Sequence, residues 1–394
     1  MKDEKLINQG KNLIKLIKSL LREEKVELIN PDFEAIYKLS TFHSVQNMLF
    51  YATDAYKNQV SVEVLKKLGK DNKMQLAKTA TQEIEKDKII EELNKNQIKY
   101  MLMKGSVIKY LYPSIDMRSM ADIDIYIDKD RAKDIKKMME NLGYDSESYQ
   151  HGNHDTYIKV PFMNIEMHRD LMNECYEMSR YYKNFFGRLQ KGKNEYEYVF
   201  SIDDYYIYMI SHAAKHFSNG GMGIRNVVDE YVYLLNYDKE LNYYYIQEEL
   251  EKLGLVKFEE NLRKLSNYWF LDKVEAKDLE TLELMEEFII ESGTYGTVNH
   301  NVLKNLMGKE ALDKINTTRF KYMLRRAFPP YSVMKSRNPS LVKLPFLLPF
   351  FYFTRLCKFI FKRNKNIDSE IKAANNANQE DIEKMKKIHD DIGA

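Results

Sequence analysis

Ile98-Lys-Tyr-Met-Leu-Met-Lys-Gly-Ser106 and, further on, Asp122-Ile-Asp-Ile-Tyr-Ile127 are the stretches that decide how this chain reads. An apolar run meets a Gly-Ser pair, and two aspartates then stand two apart within a run of isoleucines. Aspartate is depleted in strands, so an Asp-Ile-Asp-Ile strand is locally inconsistent unless something rewards it. Side chains alternate along a strand, which puts Asp122 and Asp124 on one face and Ile123, Ile125 and Ile127 on the other. The isoleucines would anchor the strand in a core. The two carboxylates repel, and one tends to stay protonated unless a cation lies between them. Such an oxygen-rich pair suits a hard ion like Mg²⁺, which takes one or two carboxylates together with substrate phosphates. Taken alone, Asp-x-Asp has a plainer reading as a solvent-facing edge strand with two exposed acids.

Residues 1–95 read as a helical region. Leu6, Leu13, Ile14, Ile17, Leu20 and Leu21 recur at helical spacing until Asn30-Pro31 breaks the pattern. Ile36, Leu39, Phe42, Val45, Met48 and Leu49 resume it, with His43 among them as a core or surface histidine. Thr79 to Asn96 predicts a long charged helix with Ile84, Ile89, Ile90 and Leu93 on one side. Within the quoted stretch, Gly105 lets the backbone approach a ligand closely, and Ser106 with the amides opening the next helix can hold a phosphate. Lys104 and Arg118 can add charge, Arg118 bidentately, although a solvated surface position is the alternative for each.

Downstream, Lys129 to Leu142 predicts a helix stopped by Gly143. Two strands follow, Thr156–Val160 and Asn164–His168. In the second, Ile165 and Met167 face one way and Glu166 and His168 the other, so Glu166 repeats the setting of Asp122 and Asp124. Residues 173–328 read as a helical domain. There Asp203-Asp204 caps a run carrying His212 and His216, four apart. That spacing can put two ligands on one helix face, but a zincin helix needs Glu directly after the first His, and Ala213 stands there. Packing or substrate contact is the favoured role for both, and Asp229 follows on the next helix.

Residues 329–363 form a hydrophobic and basic strap, with Leu344 to Phe353 followed by Arg355, Lys358, Lys362 and Arg363. The strap is too short and too broken by proline to span a bilayer. It either packs on the domain or meets a membrane interface. Residues 364–394 are polar and Asn-rich and read as a mobile tail.

The 394 residues are 44% hydrophobic, enough for sizeable cores in two or three domains. With 61 basic and 59 acidic side chains the net charge is +2, which does not fit a general nucleic-acid binder. Two distant cysteines, Cys175 and Cys357, argue against a disulfide framework or zinc module and fit a reducing compartment. The opening Met-Lys-Asp-Glu-Lys does not read as a secretory signal and no integral membrane segment is evident, so a cytoplasmic location is expected.

Apolar strand, Gly-Ser, helix, Asp-x-Asp strand and a third acidic strand, in that order, resemble the nucleotidyltransferase superfold of the DNA polymerase β type. The chain is still more similar to an uncharacterised bacterial nucleotidyltransferase-like family. That family's Leu-x-Lys-Gly, Tyr-Pro and Arg-x-x-x-Asp-x-Asp motifs stand here as Leu102-Met-Lys104-Gly105, Tyr112-Pro113 and Arg118-Ser-Met-Ala-Asp122-Ile-Asp124. The similarity extends to Glu166-x-His168, to His212-x-x-x-His216 and to the helix bearing Asp229. Glu166 stands where many relatives have Asp.

The resemblance implies an α+β fold, with a small mixed β-sheet nucleotidyltransferase core at residues 96–172 flanked by N-terminal and C-terminal helical regions. It implies transfer of NMP from an NTP to an acceptor hydroxyl, with release of pyrophosphate. Asp122, Asp124 and Glu166 would be catalytic and would hold Mg²⁺, as two ions, with Mn²⁺ as the alternative. Lys104, Gly105, Ser106 and Arg118 would cradle the nucleotide, and His168, His212, His216 and Asp229 would contact substrate. The acceptor is left open among a sugar, a small metabolite, RNA and a protein side chain. Two other readings stand beside this one: a non-catalytic nucleotide-binding regulator on the same fold, and a protein in peripheral membrane contact through residues 344–363.

Overall fold

The computed structural model describes residues 4–307, 324, 326–338, 340–361 and 365–393. Helices α1 (Glu4–Arg22), α2 (Phe33–Phe42), α3 (Gln46–Ala52) and α4 (Val62–Lys95) precede a sheet, and α5 (Gly105–Ile108) and α6 (Ala132–Asn141) interrupt it. The strands are β1 (Tyr100–Leu102), β2 (Ile123–Ile127), β3 (Asp145–Ser148), β4 (His154–Lys159) and β5 (Met163–His168). After them come α7 (Ile202–Ser218), α8 (Ile224–Tyr237), α9 (Tyr243–Leu253), α10 (Val256–Leu271), α11 (Leu279–Ser292) and α12 (Val298–Leu306). The strand order is β1-β2-β5-β4-β3. β2 and β5 run parallel and the other neighbours antiparallel, so the sheet is mixed and the fold is α+β.

All of β2 is buried. Ile123, Ile125 and Ile127 are at most 1% exposed and pack with Ile165 and Met167 of β5. Burying one such side chain stabilises by about 1.5–3 kcal/mol, whereas strand propensities span only about 1 kcal/mol. The isoleucines therefore outweigh the aspartates and hold an Asp-containing segment in the middle of a sheet. Ile89 and Leu93 of α4 and Ile135, Met138 and Met139 of α6 join the same cluster.

α4 is longer than its expected Thr79–Asn96 portion. It starts at Val62, where Ser61 accepts a hydrogen bond from the Val64 amide, and Ile84, expected inward, is 58% exposed. β3 was not expected: Asp-Ser-Glu-Ser at the sheet edge carries no apolar alternation.

The opposite face of the sheet, through Met101, Met103 and Tyr126, joins a larger core built from α1–α3 and α7–α11. The helices before and after the sheet thus share one apolar interior. His43 is fully buried in it. Its Nε2 lies 3.1 Å from the Ile290 carbonyl and its Nδ1 accepts from the Ile224 amide at 3.2 Å, joining the end of α2 to α8 and α11.

The segment expected as a mobile tail instead carries two packed helices, Lys365–Asn376 and Gln379–Ile392. They lie against α12, and the second also against α10 and α11. Ile382, Met385, Ile388 and Ile392 recur at intervals of three and four and are buried. A sparse apolar stripe in polar sequence is enough to dock the segment. Among the described residues no helix is long and apolar enough to cross a membrane.

Candidate active site

Strand alternation turns Asp124 away from the isoleucine cluster, toward the helices. The parallel register sets Asp124 beside Glu166 and Tyr126 beside His168. The antiparallel register of β4 sets Thr156 beside Glu166 and His154 beside His168. Asp124 Oδ1 receives two donors, Lys104 Nζ at 2.5 Å and His168 Nε2 at 2.7 Å. Glu166 Oε2 lies 3.3 Å from the same His168 nitrogen, and Glu166 Oε1 lies 3.5 Å from His154 Nε2. Lys104, Asp124, Glu166 and His168 thereby form one network.

Asn153 fixes the His168 tautomer. Its Nδ2 donates to the Asp170 carbonyl at 3.1 Å and meets His168 Nδ1 at 3.3 Å. An amide nitrogen oriented by a carbonyl faces a ring nitrogen that accepts, so the ring proton sits on Nε2 and points at Asp124. His154, Glu166 and His168 are the one group of three or more among the described residues whose metal-ligand atoms all lie within 4.8 Å of one another. With Nε2 protonated, His168 serves that group as a donor and leaves His154 and Glu166 as its open ligands.

The network is electrostatically divided. Burial alone would raise Asp124, but the Lys104 ammonium and the His168 hydrogen bond overcome it and hold this carboxyl below the usual range. Asp122 goes the other way: burial, then the Asp124 charge, push it up to about 6. Glu166 is lowered: burial and the Asp124 charge raise it, but the His168 hydrogen bond together with the His154 and His168 charges outweighs them.

Lys104 stands at φ +50° and ψ −127°, a backbone state that side-chain-bearing residues seldom adopt. The Tyr205 hydroxyl donates to its carbonyl at 2.9 Å. Gly105 packs tightly, since a Cβ there would lie 2.7 Å from Met120 Sδ and would force that side chain to move. The expected phosphate cradle differs. α5 is a single turn, and the amides of Ser106, Val107 and Ile108 already donate to the Met103 and Lys104 carbonyls. Ser106 is buried with its hydroxyl unpartnered, and it is not among the residues lining the cavity described below.

Arg118 is also committed. Its Nε and Nη2 donate to the two Asp229 oxygens at 2.7 and 2.8 Å, and the Tyr112 hydroxyl donates to Asp229 Oδ1 at 2.6 Å. The pair clamps the loop before β2 onto α8.

Residues of α7 and α8 face the acids across a cavity of 260 Å³. Tyr205, Tyr208, His212 and His216 recur every three or four residues, which puts them on one side of α7. Asp122, Asp124, Glu166, Lys104, Gly105, Arg118 and Asp229 complete much of the lining, together with Lys215 and Arg225. A second chamber of 230 Å³ is lined by Asn153, His154, His168, Asn173, Cys175 and Tyr176. Lys104, Glu166, His212 and Lys215 border both. His212 and His216 face each other, Nε2 to Nε2, at 3.3 Å. Burial, with Lys215 next, depresses His216 to about 3 and His212 well below its ordinary value, while burial brings Lys215 down to about 8. Polar atoms without partners sit on the walls: Tyr208 Oη, Arg225 Nε and, in the second chamber, His154 Nδ1.

Sequence reasoning missed His154, Lys215 and Arg225 as members of these walls. Lys215 was readable, since it lies three residues after His212 and so shares its side of the helix. His154 lies two residues before Thr156 in strand alternation, ahead of where the apolar pattern begins. Arg225 gave no signal beyond its place after a glycine-rich loop.

Asp122, Asp124 and Glu166 line one cavity, although their oxygens do not all lie within 4.8 Å of one another. Burial first, and then the Asp124 charge, raise Asp122, and the second of these is what a bound divalent cation would relieve. The family model described as an uncharacterised nucleotidyltransferase matches residues 30–271. No curated protein and no solved structure matches the chain significantly.

Proposed function

The chain belongs to the uncharacterised nucleotidyltransferase family, and from that membership we propose that it moves NMP from an NTP in the larger cavity to an acceptor hydroxyl entering by the second chamber. The observation that carries this reading is the placement of Glu166. It stands beside Asp124 in the parallel register and borders both chambers.

Asp122, Asp124 and Glu166 would hold Mg²⁺ or Mn²⁺, which when bound neutralises triphosphate charge and polarises the phosphoryl oxygens. Lys215 and Arg225 meet the phosphates, and Lys104 can turn to them from Asp124. Glu166, held ionised, accepts the proton of the acceptor hydroxyl. The acceptor oxygen bonds to the α-phosphorus, the bond to the β-phosphate oxygen breaks, and its electron pair leaves with pyrophosphate. His168 orients Asp124 through its Nε2 proton. Tyr205 and Tyr208 offer flat walls for the base. Most of the acceleration then comes from positioning and charge.

One feature favours a second reading. The Lys104 ammonium already neutralises Asp124, as a metal-independent nucleotide-binding regulator would require. Incubating the protein with labelled NTPs, Mg²⁺ and cell extract, followed by mass spectrometry, separates the two. Transfer predicts a labelled acceptor, which Asp124→Asn abolishes while the circular dichroism spectrum is kept. Unchanged transfer by that variant sinks the catalytic assignment, and NTP binding without any labelled product supports the regulator.

A further inference from the structure

We propose that the turn at Pro345–Leu347 and the helix Leu348–Phe361 form a docking face for an anionic lipid bilayer, whatever reaction the cavity performs. Phe346, Phe350 and Phe353 are 72%, 59% and 65% exposed. Their spacing of four and three residues puts them on one side of the helical segment. Leu344, directly before the turn, is also exposed. Exposed aromatic rings aligned on one side in this way mark an interaction surface, whereas singly scattered apolar residues do not.

The helix is fixed with that side outward. The Tyr352 hydroxyl donates to the Pro329 carbonyl at 2.6 Å, and Arg355 Nη2 donates to the Arg326 carbonyl at 3.1 Å. The Phe328 ring packs edge-on against Tyr352 at 5.4 Å. Rolling the phenylalanines inward would break these contacts.

Charge identifies the occupant. Residues 329–363 hold seven basic side chains, Lys335, Arg337, Lys343, Arg355, Lys358, Lys362 and Arg363, and no acidic one, in a chain whose 61 basic and 59 acidic groups nearly cancel. Exposed phenylalanines within a one-signed basic segment match the acyl boundary and headgroups of an anionic leaflet. A second copy of this face would bring like charges together, which disfavours self-docking. The helix has 14 residues and so is about 21 Å long, short of the roughly 30 Å hydrocarbon core. It therefore lies in the interface plane and does not cross.

Co-sedimentation of the full chain with neutral phosphatidylcholine vesicles and with vesicles containing phosphatidylserine tests the proposal. Binding is expected only to the anionic vesicles. A variant carrying Phe346→Ser, Phe350→Ser and Phe353→Ser should bind at least about tenfold more weakly, with unchanged melting because the three rings lie largely outside the core. Light scattering of both proteins runs alongside. Absence of vesicle binding, equal binding by the variant, or self-association that the variant abolishes would each overturn the proposal, the last by assigning the face to a second copy.

Discussion

Replacing Glu230 by Gln should remove a pH-dependent weakness from the interior face of α8, the helix that carries Arg225 and Asp229 of the larger cavity. Glu230 lies on α8 with no solvent exposure. The Tyr206 hydroxyl is 2.6 Å from Glu230 Oε1 and 2.7 Å from Glu259 Oε1, yet it has one proton to give. Arg263 Nε donates to Glu259 Oε1 at 2.7 Å and supplies a counter-charge there. Glu230 Oε2 has no partner. The proton of the trio therefore belongs on Glu230. Burial, with the Glu259 charge adding and the Tyr206 hydroxyl opposing, pushes its pKa up to about 8.

In the unfolded chain a glutamate ionises near its ordinary value of about 4.3. Between the two values the folded protein keeps a proton that the unfolded chain has released, so stability falls as pH rises, by about 1.4 kcal/mol per unit. From roughly pH 6 to pH 9, with flattening above 8, the group removes about 3 kcal/mol. Glutamine cannot titrate, and its amide can donate to Tyr206 while Tyr206 donates to Glu259. Denaturation curves of wild type and Glu230→Gln across this range should diverge by that amount, the variant being the more stable at the alkaline end. Titrations common to both proteins cancel in the difference. Since Tyr206, Glu230 and Glu259 join α7, α8 and α10, transfer activity should persist to higher pH in the variant. Parallel stability curves would refute the assignment of the proton.

Breaking the Arg118–Asp229 clamp by Arg118→Ala should cost about 3–5 kcal/mol by stranding a buried carboxylate, whereas Arg118→Met with Asp229→Leu should recover most of it; equal melting of the single and double variants would show no coupling. His168→Gln should lower transfer about 10–100-fold with NTP affinity nearly unchanged, as loss of a group that orients a metal ligand does; an unaltered rate, read in the labelled-NTP assay, would exclude it as the orienter of Asp124. Lys104→Met uncovers Asp124 Oδ1, so calorimetry should find tighter Mg²⁺ or Mn²⁺ binding beside NTP binding about tenfold weaker, the size expected for one lost charged hydrogen bond; metal affinity equal to wild type would show that the ammonium does not compete.

The sheet, apart from its edge strand β3, was legible because one simple rule applies there. Alternation at Ile123, Ile125, Ile127, Ile165 and Met167 fixes which face is core, and that alone puts Asp124 and Glu166 on the other face. The helices around it were legible from apolar spacing. What alternation cannot encode is which distant groups the acids meet. Arg118 as a phosphate ligand and Arg118 as the partner of Asp229 look alike in sequence, because the distinction depends on where α8 lies. Ser106 misled for a related reason: a Gly-Ser pair predicts a turn, but not whether the following amides point into a cavity or close their own turn. The second-chamber residues Asn153 and His154 lie at the edge of a strand whose apolar signal begins after them.

These differences share a physical consequence for anion binding. Of the cations on the larger cavity, Arg118 is spent on Asp229 and Lys104 rests on Asp124. That leaves Lys215 and Arg225, both on the helical wall, as the charges least committed to a carboxylate. Lys215, at about 8, remains mostly protonated at neutral pH. Arg225 Nη1 donates to the Ser119 carbonyl at 2.9 Å while its Nε lacks a partner. The acids thus sit on the sheet, the available cations on α7 and α8, and an anionic ligand that carries its own divalent ion has to bridge them. Binding of such a ligand would draw the two walls together and free Lys104 from Asp124 in the same step. Nucleotide and metal should therefore bind cooperatively here, each lowering the charge cost that the other meets.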